Sequence, residues 1–154
     1  MKIKHGIADW ILEVISFLLL AGASLYLLIG WDSFPDKLPM HHNFAGEIDR
    51  WGDKSELLFL VVIAWVLYAL LVAVERFPQI WNTGVQVTPE NRERVYRTLK
   101  YMLGTMKVLM NGVFAFLIVQ TTFGQALSGW FLPVFLVVFL GDLVFWLVRL
   151  YRIR

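Results

Sequence analysis

Four long apolar segments limit this chain to a narrow class of folds. Each is about 18 residues or more, the length that an α-helix needs to cross the roughly 30 Å hydrocarbon core of a bilayer. Hydrophobic residues make up 58% of the 154-residue sequence, against roughly 45–50% in soluble domains. A water-soluble globule could not bury so much apolar surface. The sequence therefore predicts an all-α integral membrane protein.

The predicted fold is a four-helix transmembrane bundle that forms a single domain over residues 1–154. An ordered extracytoplasmic loop joins the first two helices. Thr88 followed by Pro89 is typical of a helix start and sets the beginning of the third helix. The predicted segments are helix 1 at 8–31, the outer loop at 32–55, helix 2 at 56–76, a cytoplasmic loop at 77–88, helix 3 at 89–121 and helix 4 at 130–151.

The distribution of basic residues predicts the orientation. The N-terminus, the 75–107 segment and the C-terminus hold 11 of the 14 Lys and Arg residues, and the outer loop holds three. Cytoplasmic segments of membrane proteins are enriched in Lys and Arg, so we expect a multi-pass protein of the cell membrane with both termini in the cytoplasm. The basic residues at the start of helix 3 are expected to stand in the cytoplasm as topology determinants that also contact anionic lipids; they are Arg92, Arg94, Arg97 and Lys100.

Composition also excludes some chemistry. The chain has no cysteine, which rules out disulfides, thiolate metal sites and a cysteine nucleophile. Its formal net charge of +2 is too small to indicate a nucleic-acid partner.

The outer loop carries the most specific motif of the chain, Pro39-x-His41-x-Asn43-x-x-Gly46-x-x-Asp49-x-Trp51-Gly52-x-Lys54. This spacing, placed between a first and a second membrane helix, resembles the bacterial membrane domain of unknown function that is shared with SdpI-type immunity proteins. Further short motifs resemble the short members of that family, so the resemblance covers most of the chain; they are Phe77-Pro78, Val87-Thr88-x-Glu90-Asn91-x-Glu93-Arg94-x-Tyr96 and Phe131-Leu132-Pro133. It implies a membrane bundle whose activity is unknown in most short members, and toxin immunity in the longer SdpI-type proteins.

The loop motif has a structural interpretation. Asn43 to Gly46 is typical of a turn, and Gly46 can take the positive φ that other residues resist. Such a turn would bring His41 and Asp49 together in a hydrogen bond that fastens the loop over the bundle. Trp51 would then lie at the membrane interface.

Two ligand-binding interpretations stay open. Imidazole and carboxylate groups suit zinc, so His41, His42, Glu47 and Asp49 are candidate metal ligands, and zinc is the one cofactor considered. Position 42 is a bulky aromatic in the family pattern, and the histidine found here would be the second imidazole. Alternatively, the loop binds an extracytoplasmic peptide or a lipid headgroup through Asp49, Arg50 and Lys54.

Four polar residues fall inside the apolar segments: Glu13, Lys107, Asn111 and Asp142. A charged group at the centre of a spanning helix costs roughly 2.5–3.5 kcal/mol on insertion scales, so each should have a partner or a task. Helix 3 enters the membrane from the side to which helix 4 returns, which puts Lys107 and Asp142 at the same depth. We expect these two to face each other, with Glu13 as the competing anion. The alternative is that Lys107 extends to the headgroups and Asp142 is protonated.

The function indicated by these features is that of a non-enzymatic envelope membrane protein, concerned with resistance to or sensing of a membrane-active peptide. The alternative is a small membrane enzyme or a metal-dependent carrier that uses the loop histidines and aspartate. Expected partners are membrane lipids and an extracytoplasmic peptide, with no nucleic acid, and a homo-oligomer is left open.

Overall fold

The protein consists of four long helices, with a β-hairpin between the first two. The structure, a computed structural model, describes residues 3–154; Lys2, one of the basic residues assigned to the cytoplasmic side, lies outside this range. The elements are α1 (Ile7–Gly30), β1 (Lys37–His42), β2 (Ile48–Asp53), α2 (Glu56–Arg76), α3 (Arg92–Thr122) and α4 (Phe131–Arg152), with 3₁₀ turns at Trp31–Ser33 and Pro78–Ile80. Within the described range, four helices are long and apolar enough to cross a membrane. The chain is thus a multi-pass membrane protein, and its fold is an all-α four-helix bundle.

Helix α3 begins three residues later than the sequence predicts. Thr88 and Asn91 hold each other in a turn before it: the Thr88 N–H donates to Asn91 Oδ1 at 2.8 Å, and the Asn91 N–H donates to Thr88 Oγ1 at 3.4 Å. Asn91 Nδ2 also donates to the Gln86 carbonyl at 3.0 Å. These bonds keep Pro89 and the residue after it in a turn, and the helix starts at Arg92.

Helix α3 is the centre of the bundle, because α1, α2 and α4 each pack against it. Gly104 lets α1 come close: a Cβ at this position would lie 2.9 Å from Leu12 Cδ1. Most large apolar side chains on the outer faces of α1, α2 and α4 are exposed, as expected for surfaces that meet lipid chains.

Two apolar cores lie at opposite ends of the bundle. One contains Ala23, Leu27, Leu57 and Ile118 together with Leu38 of β1, all buried. The other contains Val95, Leu99 and Leu150, with Trp81 and Val85 of the α2–α3 connection packed against it. Because Leu38 is part of the first core, the hairpin is packed onto the helices.

Candidate functional site

The polar loop between α1 and α2 folds into an antiparallel hairpin, in which Lys37 pairs with Asp53 and His42 with Ile48. Asn43 organises its turn: Asn43 Oδ1 accepts hydrogen bonds from the backbone N–H groups of Ala45 at 2.9 Å and Glu47 at 3.0 Å. The sequence predicts the turn but not the strands.

Gly46 connects this turn to the segment between α3 and α4. Its φ is +86°, in the region that favours glycine. Its carbonyl accepts a 2.9 Å hydrogen bond from the N–H of Leu127, in the connection between α3 and α4. A Cβ on Gly46 would lie 2.3 Å from the Leu127 carbonyl oxygen. Two constraints therefore require glycine at this position.

His41 and Asp49 are brought together, as the turn predicts. His41 Nδ1 lies 2.6 Å from Asp49 Oδ1, and both side chains are exposed on the hairpin surface. Trp51 is also exposed. The pair crosses from β1 to β2 and closes the hairpin on its outer side.

Lys54, the last residue of the motif, fixes the hairpin to the end of α1. Its Nζ donates to the carbonyl oxygens of Trp31 at 3.4 Å and Phe34 at 3.5 Å, and lies 3.2 Å from Asp36 Oδ1. It also lies 5.5 Å from the centre of the Trp31 ring, a cation–π contact.

Asp53 and Glu56 make the junction from β2 to α2. Asp53 Oδ1 accepts a hydrogen bond from the Ser55 N–H at 3.0 Å, and this bond lowers the pKa of Asp53 below its usual value. Glu56 accepts from the Asp53 N–H at 3.0 Å and from Arg50 Nη1 at 2.8 Å. The strand is thus held at a fixed angle to the helix.

The four candidate metal ligands do not converge. Glu47 accepts a hydrogen bond from Asn43 Nδ2 at 2.8 Å, while Asp49 is engaged with His41. His42 Nε2 is buried and has no hydrogen-bond partner among residues 3–154. Within that range, no three His, Asp or Glu side chains are grouped so that they could hold a metal ion.

A groove of about 820 Å³ lies between the hairpin and the helix ends next to it. Most of its polar residues come from the hairpin and the start of α2, and include His41, His42, Asp49, Arg50 and Glu56. Its apolar wall comes from α2, α3 and α4, and includes Leu57, Phe59, Leu60, Leu117, Phe131 and Leu132. The groove is therefore polar on one side and apolar on the other.

A second polar site surrounds Lys107 inside the bundle, where the side chain is 1% exposed. Its Nζ donates to Glu13 Oε2 and, at 2.9 Å, to Glu75 Oε2. The Tyr68 hydroxyl donates to the other oxygen of Glu13. Residues of α1, α2 and α3 thus meet in one ion cluster.

The predicted contact between Lys107 and Asp142 is wrong. Asp142 Oδ2 accepts from Thr105 Oγ1 at 2.9 Å, and its Oδ1 accepts from Trp146 Nε1 at 3.1 Å. Equal depth does not bring the two together, because Lys107 points from α3 toward α1 and α2. Glu13, expected only as a competing anion, is an actual partner of Lys107, together with Glu75.

Asn111 lies deeper in the bundle and binds α1. Its Nδ2 donates to Ser16 Oγ at 2.9 Å and to the Ser16 carbonyl at 3.1 Å. Asn111 is fully buried, and so is Ser16. This contact fixes the register of α1 against α3.

Two of the four basic residues at the start of α3 contact α1. Arg97 Nη1 donates to Asp9 Oδ2 at 3.0 Å, and Lys100 Nζ lies 3.4 Å from the same oxygen. Lys100 is buried, and so Arg97 and Lys100 both face α1. Arg92 and Arg94 remain exposed.

The sequence does not predict four of the residues that make these polar contacts inside the bundle: Asp9, Ser16, Tyr68 and Glu75. A signal for one of them was present, because Asp9 precedes Glu13 by four residues and therefore shares its helix face. Glu75 falls in the last turn of predicted helix 2, where a charged residue is typical of a helix end. Tyr68 in α2 and Ser16 in α1 carry no charge, so nothing in the sequence distinguishes them from the other residues of their helices.

Comparison with known proteins gives one match. A family profile described as Domain of unknown function (DUF1648) matches residues 18–66, which run from the middle of α1 through the hairpin into α2. No curated protein and no solved structure matches the chain. The matched segment contains the whole loop motif, whereas Lys107 and Asp142 lie outside it.

We expect Gly46→Val to loosen the hairpin from the bundle, because the valine Cβ would clash with the Leu127 carbonyl. Gly84→Val is the matched control: Gly84 also has a positive φ, +63°, but a Cβ there would meet nothing within 4 Å. Limited proteolysis should cut the hairpin faster in Gly46→Val than in either Gly84→Val or the wild type. Equal rates in the two variants would mean that the contact with Leu127 does not hold the hairpin.

We expect Lys107→Met to lower the detergent Tm strongly, because it leaves two partly buried carboxylates without their cation. Breaking a buried ion pair from one side costs roughly 3–5 kcal/mol. Combining it with Glu13→Gln should cost less than the sum of the two single losses, whereas combining it with Asp142→Leu should be additive. Coupling to Asp142 in place of Glu13 would contradict the observed geometry.

Proposed function

We propose that the protein is a non-enzymatic receptor of the cell membrane that binds a membrane-active peptide on its outer face, and so gives resistance to that peptide or senses it. The groove beneath the hairpin is the observation that carries the proposal. Its volume of about 820 Å³ lies within the range of roughly 300–1,000 Å³ that is usual for ligand pockets.

The chemistry of the groove suits an amphipathic peptide. Its apolar wall, with Leu60, Leu117 and Leu132, offers a place for leucine-like or aromatic side chains. Its polar side offers His41 and Arg50 to the polar groups of the same molecule. A peptide that lies in the membrane interface buries one apolar face and keeps the other face polar, so it would present both surfaces at this depth.

The hairpin also offers backbone groups. Consecutive residues 39–44 line the groove, and β1 pairs only with β2 among the described strands, so its other edge has no strand partner. An extended peptide could add to such an edge through main-chain hydrogen bonds, while the groove accommodates alternate side chains. This mode of binding needs no catalytic group.

The resemblance of the loop motif to that of SdpI-type immunity proteins supports the same class of ligand. The matched family of unknown function covers residues 18–66, which include both hairpin strands. The alternative of a metal-dependent enzyme or carrier is less well supported. His41 and Asp49 would have to release each other before either could take part in a shared metal site with His42.

This function requires that the hairpin faces outward and that the charged end near Asp9 and Arg97 faces the cytoplasm. The chain has no cysteine, so single cysteines at Asn43 and at Asn82 can be labelled without interference. Position 43 should react with a membrane-impermeant maleimide on intact cells, and position 82 should react only after lysis. The opposite pattern would reverse the orientation and remove the basis of the proposal.

Filling the groove should prevent peptide binding. Leu132→Trp adds bulk inside the groove, and Leu136→Trp, one turn further along α4, adds the same bulk at an exposed position outside it. In nanodiscs, we expect a fluorescent amphipathic Leu/Lys peptide to bind saturably to the wild type. Leu132→Trp should weaken this binding by at least about tenfold, equivalent to about 1.4 kcal/mol, and Leu136→Trp should not.

Binding to wild-type discs that is no stronger than binding to protein-free discs would contradict the receptor function. Equal weakening by both tryptophans would instead mean that the peptide contacts the outer surface of α4.

A further inference from the structure

A second cavity, of about 320 Å³, lies among α1, α2 and α3 at the end of the bundle opposite the groove. Seven ionisable side chains line it, three carboxylates, three cations and one histidine: Asp9, Glu13, Glu75, Arg76, Lys100, Lys107 and His5. The rest of its wall includes Leu12 and Gly104. We call it the inner cavity. It is large enough for a group the size of a phosphate together with several waters, each of which occupies about 30 Å³.

The carboxylates of the inner cavity already have donors from the protein. Glu13 accepts from Tyr68 and Lys107, and Glu75 accepts from Lys107. Asp9 Oδ2 accepts from the Gly6 N–H at 2.6 Å and from Arg97 Nη1 at 3.0 Å. Their negative charge is therefore largely compensated without a bound cation.

Lys100, in contrast, lacks hydrogen-bond partners within the described part of the chain. It is 5% exposed, and its Nζ has no hydrogen-bond partner among residues 3–154. It lies 3.4 Å from Asp9 Oδ2, close enough for charge attraction, but that oxygen already accepts two other donors. An ammonium carries three donors, and leaving them unmatched in a buried site is costly. An acceptor inside the cavity would remove this cost.

We propose that the inner cavity binds a phosphate group, with Lys100 as its principal donor and Arg76 as a second cation. A phosphate offers several acceptor oxygens, which can satisfy more than one N–H of Lys100. With Arg97 included, four cationic side chains surround three carboxylates, so a bound anion balances the charge. The source of the phosphate is either a phospholipid headgroup or the free ion.

The position of the inner cavity suits either source. Asp9 lies in the first turn of α1 and Arg76 is the last residue of α2, so both are close to helix ends. Helix ends of spanning segments lie at the level of the headgroups. In the orientation proposed above, this is the cytoplasmic leaflet, which is rich in anionic lipid.

The test uses the delipidated full-length protein in detergent, with the Tm followed during three titrations. The first probe is dioleoylphosphatidylglycerol. The second is dioleoylglycerol, a control that has the same chains but no phosphate. The third is sodium phosphate, compared with sodium chloride at equal ionic strength. A saturable rise in Tm with the phospholipid but not with dioleoylglycerol assigns a headgroup. A rise with sodium phosphate assigns the free ion. No rise with either phosphate source overturns the proposal.

Three variants separate the inner cavity from general surface attraction. Lys100→Met should weaken the apparent affinity for the effective probe by at least about tenfold, as expected for loss of a hydrogen bond to a charged group. Arg94→Gln removes the same charge from an exposed position of α3 outside the cavity and should leave the affinity unchanged. Arg76→Gln changes an exposed residue and should weaken binding by a smaller factor. It replaces Lys100→Met in the test if that variant does not fold. Equal weakening by Arg94→Gln and Arg76→Gln overturns the proposal.

Discussion

The burial of Lys107 is the constraint on which the arrangement of the helices depends. An ammonium in the membrane interior must be neutralised and hydrogen-bonded, and no single neighbouring helix supplies enough acceptors for it. Glu13 of α1 and Glu75 of α2 together provide them, with Tyr68 holding Glu13 in place. This explains why α1 and α2 both pack closely on α3, whereas they meet each other mainly through side chains such as Tyr68 and Glu13. The polar cluster specifies which helix faces which. Leucine contacts alone would specify this poorly, because lipid chains are as apolar as leucine side chains.

The same principle operates along the whole of α3. Arg97 and Lys100 meet Asp9 near one end, Asn111 meets Ser16 deeper inside, and Thr105 meets Asp142 on the face toward α4. Polar side chains at successive levels thus fix the rotation of α3 against its neighbours. At the hairpin end, Leu38 also packs into the helix core. Both ends of the bundle thus combine apolar packing with polar contacts, and the buried ion pairs lie at the end opposite the hairpin.

The helices were predictable because length and hydropathy decide them locally. The turn at Asn43 and Gly46 and the contact of His41 with Asp49 were also predictable, since both depend on residues close in sequence. The strands themselves were within reach, because two six-residue segments separated by a short glycine-containing turn are a hairpin signal. The partner of Lys107 was not, because depth along the membrane normal says nothing about rotation around a helix axis. Helix rotation is set by contacts such as Asn111 with Ser16, which become visible only once the helices are assembled.

The hydrogen bond between Gly46 and Leu127 has a consequence for how the protein is made. The hairpin leaves the ribosome soon after α1, whereas Leu127 follows only after α3 has been synthesised. Until the connection between α3 and α4 reaches the same side of the membrane, the hairpin lacks one of the surfaces against which it rests. The groove likewise has no wall from α4 at that stage. Completion of the groove is therefore a late event of membrane insertion, and an insertion intermediate with two helices would carry the loop motif without the groove.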